Sequence, residues 1–189
     1  MKGGIILGSR IMHSIIGNRI ADALSLNDKT SYLLGNIAPD AVFSFEGKNS
    51  SHFFKGEVQD FSRYVDYKGF LEKYNSQKEN LYILGYYVHL ITDDIWLKGF
   101  NLPLLRNRME ADEGLYKLYH NDFRILNGKL IEYYSCENEL REAFSHFPTI
   151  VDLDEVKSTD VKKLVPYVLE DMEYDENDLN EQLNVFTFN

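Results

Sequence analysis

Cysteine and proline are nearly absent from this chain. Cys136 is its single cysteine, and only 4 of its 189 residues are proline. One cysteine cannot form a disulfide within the chain, which favours a reducing compartment. The scarcity of proline leaves long stretches free to form uninterrupted helices. The fold must therefore be held by an apolar core, for which a hydrophobic content of 44% is sufficient.

Positive charge is also scarce, because 20 basic residues oppose 30 acidic ones and give a net charge of −10. Nucleic-acid phosphates are neutralised by clustered Lys and Arg, so no nucleic-acid partner is expected. The same balance argues against strong electrostatic binding to anionic membranes. A small phosphorylated substrate remains compatible with an acidic chain if a bound metal ion supplies local positive charge.

Long apolar runs are missing as well. No stretch approaches the roughly 20 apolar residues of a membrane-spanning helix, so stable membrane insertion is not expected. The N-terminal run Ile5-Ile6-Leu7 is shorter than the apolar region of a signal peptide. These absences predict a cytoplasmic protein.

Helical periodicity covers most of the chain, and no alternating strand pattern is present. The predicted helices cover residues 10–24, 29–36, 66–74, 79–97, 112–134, 137–147 and 159–172. They predict an all-α fold, with a single multi-helix domain at residues 1–170. Residues 171–189 are predicted to be an acidic, solvated C-terminal tail, whose final residues 185–188 could dock on the body or form one strand.

Three connections between these helices are predicted from local residue types. Pro39 should end the second helix, because the residue before a proline is pushed out of the α region, and Asp40 should then lie in a bend. Residues 44–51 are predicted to be a polar loop that caps a segment beginning at His52. Residues 102–109 are predicted to be a plain connection.

The helix predicted over residues 79–97 has two stripes. The aliphatic stripe, suited to a core, contains Leu81, Leu84, Val88, Ile91 and Ile95. The other contains Tyr82, Gly85, Tyr86, His89, Asp93 and Trp96. His89 and Asp93 are four residues apart and project in the same direction, so an imidazole nitrogen and a carboxylate oxygen can reach one metal ion. The alternative is a buried His–Asp hydrogen bond that orders the core.

Three further residues extend this pair to a candidate metal site. His13 lies on the inner face of the first helix, Asp40 follows Pro39, and His52 stands among aromatic residues. Each alone is more often a core or capping residue. Together the five supply three imidazoles and two carboxylates, a set suited to zinc, with manganese or iron as alternatives. His120 or Asp122 could add a ligand, but residues two apart do not share a helix face, so at most one should point inward.

Four short motifs resemble those of the zinc-dependent phospholipase C family, which is related to the single-strand-specific zinc nucleases. They are a helical His at position 13, Gly-Asn-Ile-Ala-Pro-Asp at 35–40, Ser-His-Phe-Phe at 51–54 and Leu-Gly-Tyr-Tyr-Val-His-Leu-Ile-Thr-Asp at 84–93. Their joint occurrence in this order is more specific than any one of them. The resemblance covers roughly the first half of the chain.

The resemblance implies the helical fold of that family and a site with one or two zinc ions. Asp40, His52, His89 and Asp93 would surround one ion, and His13 would join a bridging Asp93 at a second. Residues 94–100 contain no His, and no His-x-x-x-Glu pair follows, so the residues that complete the family's third metal position are missing.

The function implied is hydrolysis of a phosphate ester by metal-activated water, with a small phosphorylated substrate or a lipid headgroup as the partner. Asp40 is the candidate catalytic residue, by the resemblance and because it lies in a bend. An HD-type phosphohydrolase needs an adjacent His-Asp pair, which this sequence lacks. The remaining alternative is a non-catalytic helical protein with a structural or vestigial metal site.

Overall fold

The computed structural model describes residues 8–57 and 59–188, and this part of the chain is all-α, as predicted. Its helices are α1 (Arg10–Ala23), α2 (Lys29–Ile37), α3 (Phe45–Ser51), α4 (Tyr67–Lys73), α5 (Leu81–Trp96), α6 (Arg106–Ala111), α7 (Glu113–Tyr134), α8 (Glu137–Ser145), α9 (Ser158–Glu170) and α10 (Glu176–Asn180). Two short antiparallel strands, β1 (Phe54–Lys55) and β2 (Tyr64–Val65), follow α3. None of the helices in the described ranges has the length and apolarity needed to cross a bilayer.

The connection predicted at residues 102–109 is helical instead. A π-helix at Leu97–Leu105 continues α5, and α6 follows it directly. Leu97, Asn101 and Leu105 are buried at four-residue spacing, so tertiary packing keeps this segment helical although it contains Pro103. The wider π-turn accommodates a residue that has no N–H to donate.

The polar loop predicted at residues 44–51 is also wrong, because these residues form α3. The Ser44 hydroxyl caps this helix by accepting from the Gly47 N–H, and His52 lies at its C-terminal end rather than at the start of a new segment. The buried Ser51 hydroxyl donates to the Pro39 carbonyl at 2.8 Å. This tertiary hydrogen bond stabilises a helix that the local pattern does not predict.

Pro39 does not push the preceding residue out of the α region as predicted. Ala38 keeps helical angles (φ −59°, ψ −40°), and α2 passes directly into a 3₁₀ turn at Ala38–Ala41. Pro39 lies in the first positions of that turn, where its missing N–H is not needed. Asp40 is therefore held in a helical turn.

The close crossing of α2 and α5 is the central packing feature of the fold. A Cβ at Gly85 would lie 1.9 Å from the Tyr32 carbonyl oxygen, and one at Gly35 would lie 2.0 Å from the Tyr82 carbonyl oxygen. The two backbones are thus in direct contact, which only glycine permits. The crossing buries the stripe of α5 that carries His89 and Asp93.

The aliphatic stripe of α5, predicted to suit a core, is only partly buried, and Leu81, Leu84 and Val88 pack against the core. Ile95 is 67% exposed, and the other members of that stripe are only partly buried. The stripe with the glycine, the tyrosines and the ionisable residues approaches α2 more closely and takes the interior position.

The acidic C-terminal segment contacts the helices at several points, while nearly all of its described side chains stay at least partly exposed. The buried Asp122 carboxylate accepts hydrogen bonds from the backbone N–H groups of residues 184–186. The Phe186 ring contacts an aromatic cluster of Trp96, Phe100, Tyr119 and Phe123. Four of its acids pair with arginines: Asp171 with Arg10, Glu173 with Arg141, and Asp178 and Glu181 with Arg124. The domain boundary at residue 170 stays a prediction.

Candidate metal centre

His89 is held on α5 by the end of α2. Its Nδ1 lies 2.8 Å from the Asn36 carbonyl oxygen, a carbonyl in the last turn of α2. Because a carbonyl only accepts, Nδ1 carries a proton and Nε2 is the nitrogen left to face a ligand. The close α2–α5 crossing therefore fixes both the orientation and the tautomer of a fully buried imidazole.

His52 is oriented in the same way by the last turn of α3. Its Nδ1 lies 3.0 Å from the Lys48 carbonyl oxygen, so Nδ1 donates and Nε2 is left with a lone pair. That Nε2 atom lies 3.5 Å from Asp40 Oδ1 and 3.7 Å from Asp93 Oδ2. The Phe54 ring stacks on the imidazole with 5.4 Å between centroids.

His13 approaches the same point from α1. Its Nε2 lies 3.2 Å from Asp93 Oδ1, and its ring stacks on His89 with centroids 3.8 Å apart. A Cβ at Gly8 would lie 3.0 Å from His13 Nε2, so a small residue is required beside this nitrogen. The imidazole is buried.

Asp93 lies at the centre of the set. Its Oδ1 faces His13, whereas its Oδ2 faces His89 at 3.4 Å and His52 at 3.7 Å. The two oxygens of one buried carboxylate thus point toward two different groups of imidazoles, the arrangement of a bridging ligand. The structure brings together all five residues of the candidate site named from the sequence.

The donor atoms fit a divalent metal in number, type and spacing. Two groups of three converge, one from His13, His89 and Asp93 and one from Asp40, His52 and His89, with the atoms of each group within 4.8 Å of one another. In a tetrahedral zinc site each donor atom lies about 2.1 Å from the metal, so two donor atoms lie about 3.4 Å from each other. The measured nitrogen–oxygen separations of 3.2–3.7 Å match that spacing.

Three buried atoms of the set have no hydrogen-bond partner within residues 8–57 and 59–188. They are His13 Nδ1, His89 Nε2 and Asp93 Oδ1. Leaving buried polar atoms unpaired is costly, so a fold retains such atoms where a ligand satisfies them. A cation bound between His89 Nε2 and Asp93 Oδ1 would satisfy two of the three, whereas a His–Asp hydrogen bond that merely ordered the core would already pair them.

The electrostatics of the set favour cation binding. Burial by itself raises the pKa of the Asp93 carboxyl, but the nearby His89 and His13 imidazoles outweigh it and bring this pKa well below its usual range. Burial also raises the pKa of the Asp40 carboxyl, but the neighbouring histidines, His52 first among them, outweigh burial and lower it. Burial, followed by the proximity of His89, lowers the pKa of His13. Both carboxylates are therefore ionised, and Asp93 in turn outweighs burial and raises the pKa of His89, so a proton shared among the histidines neutralises them until a cation displaces it.

The centre opens onto a cleft of about 510 Å³, which sequence patterns did not reveal. Asp40, with 20% of its side chain exposed, lines this cleft together with His13, His52 and Asp93. His120 lines the cleft, with Nδ1 2.7 Å from the Tyr116 carbonyl oxygen and a buried Nε2, whereas Asp122 faces the C-terminal segment. Arg10 and Asp171 also line it. Arg10 is one turn before His13, a spacing that would have indicated a shared face.

Comparison with known proteins gives one match. A family model described as zinc dependent phospholipase C matches residues 12–184, which is most of the chain. No curated protein and no solved structure matches the chain. The matched range contains all five residues of the candidate metal site.

Proposed function

Because the chain belongs to the zinc-dependent phospholipase C family, we propose that it is a metal-dependent hydrolase of phosphate esters. The observation that carries the proposal is the opening of the five-residue centre onto a cleft at Asp40. A structural metal site is closed by protein ligands, whereas a catalytic one keeps a position for water or substrate. This opening favours the catalytic role over a structural or vestigial one.

Each of the five side chains has a role in this proposal. Asp40, His52, His89 and Asp93 would hold one zinc ion, and His13 with Asp93 would hold a second. Zinc, when bound, supplies an activated water and neutralises charge on the phosphoryl oxygens. Asp40 orients the attacking water and accepts its proton at Oδ2, the oxygen that does not face His52. His89 and His52 are kept in their binding orientations by the Asn36 and Lys48 carbonyls.

The proposal is tested by metal content and hydrolysis measured on the same preparation. Elemental mass spectrometry of protein purified without added metal or chelator should find one or two equivalents of zinc, manganese or iron. Hydrolysis should be sought with p-nitrophenyl phosphate, bis-p-nitrophenyl phosphate and a short-chain phosphatidylcholine. A chelator should abolish the activity and zinc should restore it. Protein that stays metal-free after incubation with all three ions would contradict the proposal.

A lipid-type phosphodiester is favoured among the substrates by the rim of the cleft. Phe43 and Phe45 line the cleft and are 64% and 51% exposed. Tyr167, 51% exposed, contacts Phe43 edge to face at 6.3 Å between centroids. Apolar rings at the entrance of a polar cleft provide the exposed apolar surface that an acidic enzyme needs to act on a bilayer.

Replacing both Phe43 and Phe45 with serine is expected to lower hydrolysis of phospholipid vesicles by about 100-fold or more, because each ring buried in lipid contributes roughly 1.5–3 kcal/mol. Hydrolysis of a soluble ester should change less than twofold. Tyr133→Ser is the control, since Tyr133 is 67% exposed and is not among the cleft residues. Equal losses on vesicles and on the soluble ester would assign the two rings to the fold instead of the lipid surface.

We further propose that the protein works in the cytoplasm. The support is its single cysteine, Cys136, which is free and buried. A chain with no disulfide of its own suits a reducing compartment.

A further inference from the structure

Arg10 places a guanidinium in the cleft next to the metal centre. It is the first residue of α1, one turn before His13, and both residues line the cleft. Its Nε donates to Asp171 Oδ2 at 2.7 Å, and 28% of its side chain is exposed. Burial lowers the pKa of this guanidinium, but the bond with Asp171 and the nearby carboxylates of Asp40 and Glu170 outweigh burial and raise it. The group therefore carries a permanent positive charge beside Asp40.

The guanidinium keeps its two terminal amino groups for a ligand. Within the described residues, the bond from Nε to Asp171 is its single hydrogen bond. An arginine held at Nε by a carboxylate presents its remaining N–H groups as a fixed fork. Such a fork matches two non-bridging oxygens of a phosphoryl group, which phosphomonoesters and phosphodiesters both possess.

The other arginines of the cleft are occupied by protein groups. Arg124 donates to Asp178, Glu181 and Asn121. Arg63 donates from one terminal amino group to Asn49 and lies over the Phe54 ring at 4.1 Å. Its Nε has no partner in the described part of the chain but is buried away from the open space of the cleft. Arg10 is thus the arginine of this cleft that combines proximity to the metal donors with open hydrogen-bonding capacity.

We propose that Arg10, positioned by Asp171, binds the non-bridging oxygens of the substrate's phosphoryl group beside the metal centre. This inference rests on the proposed function, because it assigns a phosphoryl subsite to the same cleft. The metal ions neutralise the phosphoryl group from the side of the histidines, and Arg10 does so from the start of α1. Asp171 acts through Arg10 and is a positioning residue.

The test is calorimetric titration of inorganic phosphate into the zinc-loaded protein, with zinc content measured on the same samples. Arg10→Ala should raise the dissociation constant for phosphate at least tenfold. Arg10→Lys should give a smaller rise, because lysine keeps the charge but not the fork. Asp171→Asn, which leaves Arg10 in place, should also weaken binding. Arg141→Ala is the matched control, since Arg141 also donates from Nε to a carboxylate but is not among the cleft residues.

A second titration with glycerophosphocholine distinguishes the two sources of the phosphoryl group. Tighter binding of this diester than of phosphate would assign the subsite to lipid-type diesters, and tighter binding of phosphate would assign it to monoesters. Either result supports the subsite when Arg10→Ala weakens it.

The failure of this inference differs from the failure of the proposed function. The inference is overturned if Arg10→Ala holds as much zinc as the wild type and its dissociation constant for phosphate stays within twofold of the wild-type value. Arg10 and Asp171 would then only join α1 to the end of α9. If the wild type takes up no zinc, the proposed function falls. The titration of metal-free protein then decides: loss of binding in Arg10→Ala supports the subsite, and unchanged or absent binding overturns it.

Discussion

Asp93→Asn is expected to lower zinc affinity by well over 100-fold and to abolish hydrolysis. Removing a group that only supports a metal ligand costs about 10–100-fold in affinity, and a residue that faces all three imidazoles should cost more. Asparagine keeps the shape of the side chain, but its –NH₂ group cannot bind a metal. One of the two oxygens that face His13 and the His89–His52 pair is thereby lost.

Thermal unfolding with and without zinc measures this loss independently of activity. A ligand that binds only the folded state raises the unfolding temperature in proportion to the logarithm of its concentration over its dissociation constant. Zinc should therefore raise the unfolding temperature of the wild type and leave that of Asp93→Asn nearly unchanged. His146→Ala is the control, because His146 is exposed at the end of α8. A full zinc complement in Asp93→Asn would remove Asp93 from the ligand set.

Gly85→Ala is expected to destabilise the protein by about 3 kcal/mol or more, at the upper end of what overpacking costs. The added methyl would lie 1.9 Å from the Tyr32 carbonyl oxygen, which belongs to the backbone and cannot rotate away. The helices α2 and α5 must then separate. That separation pulls His89 away from the Asn36 carbonyl, so the variant should also bind zinc more weakly.

Gly99→Ala is the matched control for this helix crossing. A Cβ at Gly99 would meet no atom within 4 Å, so the change should be neutral or stabilising by up to about 1 kcal/mol. Urea unfolding of the metal-free proteins gives the free energies of unfolding. Equal stabilities of the two variants would show that the helices tolerate the extra methyl and that the crossing does not require glycine.

The sequence predicted best what depends on local spacing. Most helices follow apolar periodicity, and the four-residue spacing of His89 and Asp93 places both side chains on one face. The motifs around His13, Asp40 and His52 indicated a shared site although each residue comes from a different element. The order of these motifs supplied the long-range information that periodicity alone does not contain.

Features made by tertiary contacts were not predictable in this way. The sequence did not reveal which stripe of α5 is buried more deeply, because backbone contact through Gly85 brings the stripe with His89 and Asp93 closest to α2. The helix α3 depends on a hydrogen bond between Ser51 and Pro39 that local propensity does not reveal. The pairing of Arg10 with Asp171 joins residues 161 positions apart, beyond the reach of any helical pattern.

The docking of the acidic segment on α7 and α1 has a consequence for the order of events during synthesis. All five proposed metal donors lie within residues 13–93, whereas Asp171, Asp178 and residues 184–186 follow much later in the chain. Since chains are made from the N-terminus at about 5–20 residues per second, the proposed donor residues leave the ribosome seconds before the groups that complete the cleft. The side chains at the centre are thus synthesised well before the outer wall of the cleft.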